Sequence, residues 1–182
     1  MKPLNMILAA AENNAIGRKG GIPWHIREDF LYFKRTTLGH TVIMGYMTWV
    51  SLGSKPLPGR KNYVISIPEM MAGKEPENPT DPAKTGKPWA PGTEVRFFPS
   101  LEEAIAAAQD DPFIIGGGYT YRQALPMATR IYLTRIHTVI PDADTFFPEL
   151  PADEWRCSRV GEMLHDPETN FDFEFLIYER IR

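Results

Sequence analysis

Cysteine is almost missing from this chain: Cys157 stands alone among 182 residues. A disulfide framework and a cysteine-based metal site are both excluded, and a reducing cytoplasm is the expected setting. The four histidines, at 25, 40, 137 and 165, show no ligand spacing such as HxxxH, so no metal is expected. No apolar run reaches the roughly 18 residues that a membrane span needs. The opening "MKPLNMILAAAENN" runs straight into Glu12 and two asparagines, so it reads as a first strand and not as a signal peptide. A strong excess of either charge is lacking too. With a formal net charge of −3, a pI of about 5.8 and scattered Lys and Arg, the chain has no basic stripe, and nucleic acid and membrane are not expected partners. What is present, 43% hydrophobic residues without internal repeats, suffices for the core of one soluble globular domain.

Short apolar runs alternate with helical patterns. "LNMILAAA" (4–11), a helix near 27–38, "TVIMG" (41–45), a short helix near 47–52 and "KNYVIS" (61–66) give β-α-β-α-β. "EVRFF" (94–98), a helix opened by Ser100 with Glu103 as its capping-box partner, "PFIIGGG" (112–118), a helix near 119–125 and "RIYLTRI" (130–136) continue the alternation. This order predicts an α/β fold around a largely parallel sheet. "EWRCSRVGEML" (154–164) and "FDFEFLIYERI" (171–181) flank the turn-like "HDPETN" with no helix between them, which predicts an antiparallel hairpin at one sheet edge. Residues 68–93 hold six of the seventeen prolines and little periodicity, and are expected to form a surface excursion within a single domain.

Two strand-to-helix junctions could hold a dinucleotide. In "FIIGGGYTYRQAL" a β-branched run enters three glycines and leaves as a helix, placing free N–H groups and the positive end of a helix at a strand's C-terminal end. The same pattern also fits a tight turn whose glycines only let strand and helix approach, and it is not the GxGxxG fingerprint. "TVIMGYMTW" repeats the geometry with Gly45 and Thr48, although Thr48 read alone fits a plain N-cap. "PLPGRKN" (56–62) is a proline-stiffened turn delivering Arg60, suited to bidentate capture of a carboxylate or simply solvated.

The segment "GGIPWHIREDFLYFKR" (20–35) contains an oddity. At about 100° per residue, Asp29 borders the apolar stripe of Ile26, Phe30 and Phe33, while Arg27 and Glu28 point away. An acidic residue in a first turn gains about 0.3–1 kcal/mol from the helix dipole, which explains Glu28 better than Asp29. The other reading is a lone carboxylate in an apolar pocket, pairing with a flat, protonatable ligand.

"IGRKGGIPWHIREDFLYFKRTTLGHTVIMGYMTWVSLGSKPLPGRKNYVIS", "FIIGGGYTYRQALP", "RIYLTRI" and "DADTFFPELP" together strongly resemble dihydrofolate reductase, from about residue 4 to the C-terminus and leaving out mainly 68–93. The resemblance implies an eight-stranded, mostly parallel sheet with an antiparallel C-terminal edge, flanked by four helices. It implies an enzyme of one-carbon and thymidylate metabolism that moves a hydride from NADPH to C6 of 7,8-dihydrofolate, with a proton arriving at N5. On that resemblance Asp29 binds the pterin 2-amino group and N3, Thr134 supports that carboxylate, Trp24 holds a water near the pterin, and Ile22 lies in a mobile lid. Phe30, Phe33, Leu52 and Leu57 would wall the pterin and benzoyl pocket. Arg60 would clamp the glutamate α-carboxylate, and Lys34 would attract the distal one. Ile7, Leu8, Ile115 and Tyr121 would line the floor. The cofactor would lie along Ala9, Ile16, Gly17, Gly45, Tyr46, Met47, Thr48, Ser66, Ile115, Tyr119, Thr120 and Tyr121, crossing a cis Gly116–Gly117 bond and Gly118. A monomer that also binds diaminopyrimidine antifolates through Asp29 is expected.

The chain departs from the family where the cofactor's phosphates go. Relatives often carry basic residues after the glycine of the "MG-x-x-TW" motif and after the triple glycine, whereas this chain has Tyr46, Met47 and Tyr119. Lys61, Lys74 or Arg96 would have to supply charge from elsewhere, and weakened discrimination between NADPH and NADH is expected. A same-fold reductase acting on another pterin or on a pyrimidine of riboflavin synthesis is the nearest alternative; a binding module without turnover is a second. Arg60 favours a substrate with a glutamate tail, and the set of Trp24, Asp29, Thr134 and the glycines favours turnover.

Overall fold

The computed structural model describes residues 2–181. In chain order the strands are β1 (Asn5–Ala11), β2 (Ala15–Gly17), β3 (Thr41–Gly45), β4 (Lys61–Ile65), β5 (Glu94–Phe98), β6 (Phe113–Gly116), β7 (Arg130–Ile136), β8 (Thr145–Phe146), β9 (Trp155–His165) and β10 (Asp172–Arg180). The helices are α1 (Arg27–Thr37), α2 (Tyr46–Ser51), α3 (Pro82–Thr85), α4 (Leu101–Ala107) and α5 (Gly118–Ala124). Eight strands form one sheet in the order β5-β4-β3-β6-β1-β7-β10-β9. Neighbours run parallel from β5 to β7, and β10 is antiparallel to both β7 and β9.

The two-residue period of β1 explains how the sheet is covered. Met6, Leu8 and Ala10 point to one face, where they meet Leu101 and Ala104 of α4 and Tyr121 and Ala124 of α5. Ile7 points to the other face, beside Trp49 of α2, Val42, Val64 and Phe113. A strand buried on both sides needs an unbroken apolar run, which "MILAAA" supplies. α1 lies over the β7–β10 part of that second face, where Tyr32 stacks on Phe175 with ring centroids 3.9 Å apart. Ser100 caps α4 by accepting a hydrogen bond from Glu103 N–H at 3.2 Å.

Five α-helices are present where four were expected. The extra one, α3, lies within the Pro-rich stretch and is a single turn built from local chemistry: Asp81 accepts from Ala83 N–H at 3.0 Å, Pro82 opens the helix, and Gly86 at φ 72° closes it. The stretch is also less free than its composition suggests. The Glu77 peptide bonds to Tyr46 and Trp49, and Trp89 donates to Thr80 at 3.3 Å. The two-stranded β2–β8 ribbon was not foreseen, because three and two residues are too few to show a period.

His137, just beyond β7, ties the sheet together at one end. Its ring nitrogens lie 2.8 Å from Glu12, at the end of β1, and 2.6 Å from Glu174 of β10, and Arg159 of β9 reaches the same Glu174 at 3.2 Å. The Glu12 bond, helped by Glu174, raises the imidazole pKa above its ordinary value against a smaller desolvation effect. A raised histidine pKa stabilises the fold fully below the unfolded value and loses that contribution as pH rises through the folded value. The melting temperature of His137→Gln should therefore lie furthest below the native one at pH values under the unfolded histidine pKa of about 6.5, and the deficit should shrink as pH rises through the raised folded value. A deficit that grows with pH would refute the ion-pair account.

Candidate active site

A cleft of about 560 Å³ opens along the C-terminal ends of β1, β3 and β6, where open α/β sheets present their crevices. Ile7, Leu8 and Ala9 of β1 and Ile115 of β6 form its floor, with Tyr121 behind them donating its hydroxyl to the Ile7 carbonyl at 2.9 Å. α1 supplies one wall through Asp29, Phe30, Phe33 and Lys34, and α2 with the following turn supplies the facing one through Met47, Thr48, Ser51, Leu52 and Leu57. Ile16, Gly17, Gly20, Gly21 and Ile22 border the mouth, and Ile22 is 58% exposed.

Asp29 is the charge at the centre. It sits in the first turn of α1, and one carboxylate oxygen accepts a hydrogen bond at 2.6 Å from the Thr134 hydroxyl, which reaches across from the buried middle of β7. Desolvation pushes the carboxyl pKa up to about 6, and the Thr134 bond offsets only part of that rise. The same burial, followed by the Asp29 charge, pushes the Tyr121 phenol up, so that it stays a neutral donor. Around this group the walls are aromatic or aliphatic, an arrangement that lets one charge set a ligand's orientation.

Arg60 stands in the same cleft and is 3% exposed. Its Nε donates to the Pro58 carbonyl at 3.0 Å and one Nη to the Thr37 hydroxyl at 3.2 Å, which fix the plane of the guanidinium. Burial lowers its pKa from the ordinary arginine value, but a guanidinium remains charged, and a buried cation needs an anion to be fully satisfied. Among the described lining residues Arg60 and Lys34 are the only cations, and α1 carries or contacts both.

The other end of the cleft is made of glycines. The Gly116–Gly117 bond is cis. A Cβ on Gly116 would lie 2.9 Å from the Thr48 hydroxyl, one on Gly45 2.8 Å from the Thr120 hydroxyl, and one on Gly118 2.6 Å from Thr145 Cγ2. Any larger residue would fill this cradle. α2 begins after Gly45 and α5 after Gly117 without a side-chain cap, so their first-turn N–H groups remain for a ligand. Small residues, threonine hydroxyls and two sets of free amides fit the pyrophosphate and ribose of a dinucleotide.

Several expected residues lie outside the lining. Thr134 acts from behind Asp29. Trp24 is buried with Ile26, Tyr32 and Ile136, and its indole N–H has no partner among the described residues. Gly45 and Thr120 support the cradle from beneath. Tyr119 is 56% exposed and Ser66 half-buried, and neither lines the cleft. Tyr46 turns to the opposite side of α2, packing beside the Trp49 cluster with its hydroxyl on Glu77 N–H. Arg96 lies over the Tyr63 and Phe98 rings, 5.4 and 4.9 Å from their centroids, and is likewise not in the lining.

Gly20, Gly21, Ser51 and Thr145 line the cleft although sequence reasoning passed over them. Ser51 was detectable, since it follows Thr48 by three residues and shares its face. Thr145 becomes a lining residue only through the β2–β8 ribbon. That ribbon and its neighbours also fix the loop at the mouth: Lys19 N–H donates to Asp144 at 2.8 Å, and Arg18 pairs with Asp142 at 3.0 Å.

The chain matches the model of the dihydrofolate reductase family over residues 3–180. It is 38% identical over 182 residues to dihydrofolate reductase type 3 of Salmonella typhimurium, covering 98% of this chain and 99% of that one. With dihydrofolate reductase of Mycobacterium leprae the identity is 39% over 181 residues, covering 91% and 97%. Among solved structures, dihydrofolate reductase from Enterococcus faecalis complexed with NADP(H) and RAB-propyl superposes with a TM-score of 0.73 at 27% identity, over all of this chain and 98% of that one.

A carboxyl whose folded pKa lies above its unfolded value destabilises the fold at high pH, and the cost vanishes as pH falls below the unfolded value. Asp29→Asn keeps an acceptor for Thr134 and removes the charge. Its melting temperature should exceed the native one at pH 8, with the gain shrinking between about pH 6 and pH 4. A lower melting temperature at pH 8 would contradict the buried-charge account.

Proposed function

We propose that this chain, which belongs to the dihydrofolate reductase family, uses the cleft to reduce 7,8-dihydrofolate to 5,6,7,8-tetrahydrofolate with NADPH. The observation that carries the reading is the Asp29–Thr134 pair set into an apolar cleft with a buried arginine further along it. A pterin offers a flat ring with adjacent N–H donors, which match a carboxylate, and its benzoylglutamate tail ends in carboxylates, which match Arg60 and Lys34.

NADPH supplies the hydride delivered to C6. The protein's part is orientation and proton handling. Asp29 accepts hydrogen bonds from the 2-amino group and N3, and Thr134 holds the carboxylate in the plane of the ring. With its pKa near 6, Asp29 titrates close to neutrality and can favour the pterin form that takes a proton at N5. The Trp24 indole N–H, buried and without a protein partner among the described residues, suits a water beside that nitrogen. Phe30 and Phe33 face Leu52 and Leu57 across the ring and the benzoyl group, and Ile22 covers the reacting carbons and keeps bulk water away. Thr48 and the amides after Gly116 would hold the pyrophosphate, with Gly45 giving the close approach beneath them.

The cleft's cations stand at the α1 end, and the positions where a 2′-phosphate would be gripped hold Met47 and Tyr119, with Tyr46 turned away. This supports weak discrimination between NADPH and NADH. Arg60 also favours folate over a pterin or pyrimidine that lacks a glutamate tail. The reading includes a monomer working in the cytoplasm, which the unpaired Cys157 and the balanced charge support.

Absorbance at 340 nm should fall when dihydrofolate and NADPH are mixed with the protein, and Asp29→Asn should lower kcat/KM by about 10²-fold or more near neutral pH. Full activity in Asp29→Asn would remove the proton-handling assignment. Tyr119→Arg should raise the ratio of kcat/KM for NADPH over NADH by about tenfold at low salt, the effect of one charge-assisted hydrogen bond. A native protein already as selective as that variant would sink the weak-discrimination proposal.

A further inference from the structure

The Pro-rich stretch, residues 68–93, meets the cleft from behind at two places. At the first, the Glu77 peptide is gripped on both sides by α2: its N–H donates to the Tyr46 hydroxyl at 3.1 Å and its carbonyl accepts from the Trp49 indole at 2.7 Å. Tyr46 and Trp49 are three residues apart and share one face of the helix, while Met47, Thr48, Ser51 and Leu52 line the cleft from the opposite face. Trp49 is fully buried, so its N–H must find an acceptor, and the Pro-rich stretch provides it.

At the second place the stretch returns along the outside of the Pro56–Pro58 turn. A small pocket of about 210 Å³ lies between them, with Lys55, Pro56 and Pro58 on one side and Thr80, Trp89 and Ala90 on the other. Leu57, between those prolines, lines the cleft, and the turn delivers Arg60. Thr93, where the stretch ends, accepts from Gly59 N–H at 2.8 Å. One segment therefore contacts both the helix that Leu52 caps and the turn that carries Leu57 and leads to Arg60. A six-residue helix and a turn have little stability of their own, so contacts from neighbouring segments fix their position: the buried Asn62 of β4 brackets Leu57, accepting from its N–H at 2.8 Å and donating to its carbonyl at 3.1 Å, and the Pro-rich stretch adds its contacts from behind.

We infer that residues 68–93 are a positioning brace for the wall of the cleft that receives the substrate's benzoylglutamate tail, acting through Glu77 on α2 and through Thr93 on the Gly59 peptide of the following turn, with Trp89 held by Thr80 at the border of the pocket behind Pro56 and Pro58. Tyr46 then serves as a positioning residue for that wall. The inference rests on the dihydrofolate reading only for the identity of the tail. It explains why a segment with so few apolar residues is ordered: the Tyr46 hydroxyl and the Trp49 indole hold its Glu77 peptide, the Gly59 N–H holds Thr93, and Trp89 on Thr80 braces it internally.

The test is calorimetric binding of folate, which has the tail, and of a pterin without it, to the full chain and to Trp89→Ala, Trp89→Phe and Tyr46→Phe. Trp89→Ala should weaken folate at least about fivefold and the tail-less pterin less than about twofold, since small displacements of a binding wall carry large penalties for the group it holds. Trp89→Phe, which keeps a ring at the border of the pocket, should restore most of the folate affinity, and Tyr46→Phe should also weaken folate selectively. Tyr46→Phe removes a single oxygen and keeps the comparison open if Trp89→Ala does not fold. Equal losses for the two ligands, or no loss for either, overturn the brace. If the native protein binds neither ligand, the dihydrofolate reading fails and the brace falls with it.

Discussion

The hydrogen bond from the Thr134 hydroxyl to the Asp29 carboxylate joins a helix's first turn to the middle of the sheet. A carboxylate removed from water is costly unless it is bonded, and one neutral hydroxyl compensates only part of that cost, which is why the pKa stays near 6 instead of falling. The site therefore stores a charge that wants either a proton or a ligand. Everything that keeps α1 on the sheet sustains this state: Ile26 and Tyr32 in the core beside Phe173 and Phe175, and the buried Trp24 just before the helix. Without that apolar packing the carboxylate would turn to solvent and lose its poise.

The opposite end of the cleft obeys a steric constraint. At Gly45, Gly116 and Gly118 the backbone approaches threonine side chains so closely that a single added carbon would fall under 3 Å. Backbone amides, and not side chains, are consequently what this end can present, and amides recognise phosphate oxygens without carrying a full charge. The two ends of the cleft thus use different physics. One places a few formal charges in a dry setting; the other lets a ligand come within reach of the main chain. A hydride transfer between two flat rings needs both, because one partner must be oriented by its hydrogen-bonding edge and the other by a tail that lies along the protein.

Much of this was legible in the sequence, and for identifiable reasons. The central strands are long apolar runs, and the capping box at Ser100, the glycines after β6 and the hairpin at 154–181 are local signals that tertiary structure did not override. The displaced position of Asp29 on its helix was visible because a helical period spans several residues. What stayed hidden depended on distant partners. Thr145 becomes part of the cleft through a ribbon too short to have a period, and α3 is one turn made by Asp81, Pro82 and Gly86 inside a stretch whose composition reads as unstructured. The direction of Tyr46 was hidden as well, since one tyrosine at the start of a six-residue helix says nothing about which side its hydroxyl will find a partner.

Tyr46 sets the balance between the cleft and the Pro-rich stretch. Standing at the start of α2, it turns its hydroxyl to the Glu77 N–H of that stretch. A charged side chain turned toward a phosphate cannot at the same time accept from a peptide N–H behind the helix, so gaining that anchor and keeping the cation are mutually exclusive at this site. Tyr46 therefore anchors the Pro-rich stretch and adds no charge to the cleft. The cleft keeps its positive charge where Arg60 is buried and held in plane by Pro58 and Thr37, and gives it up where α2 leans on the segment behind it.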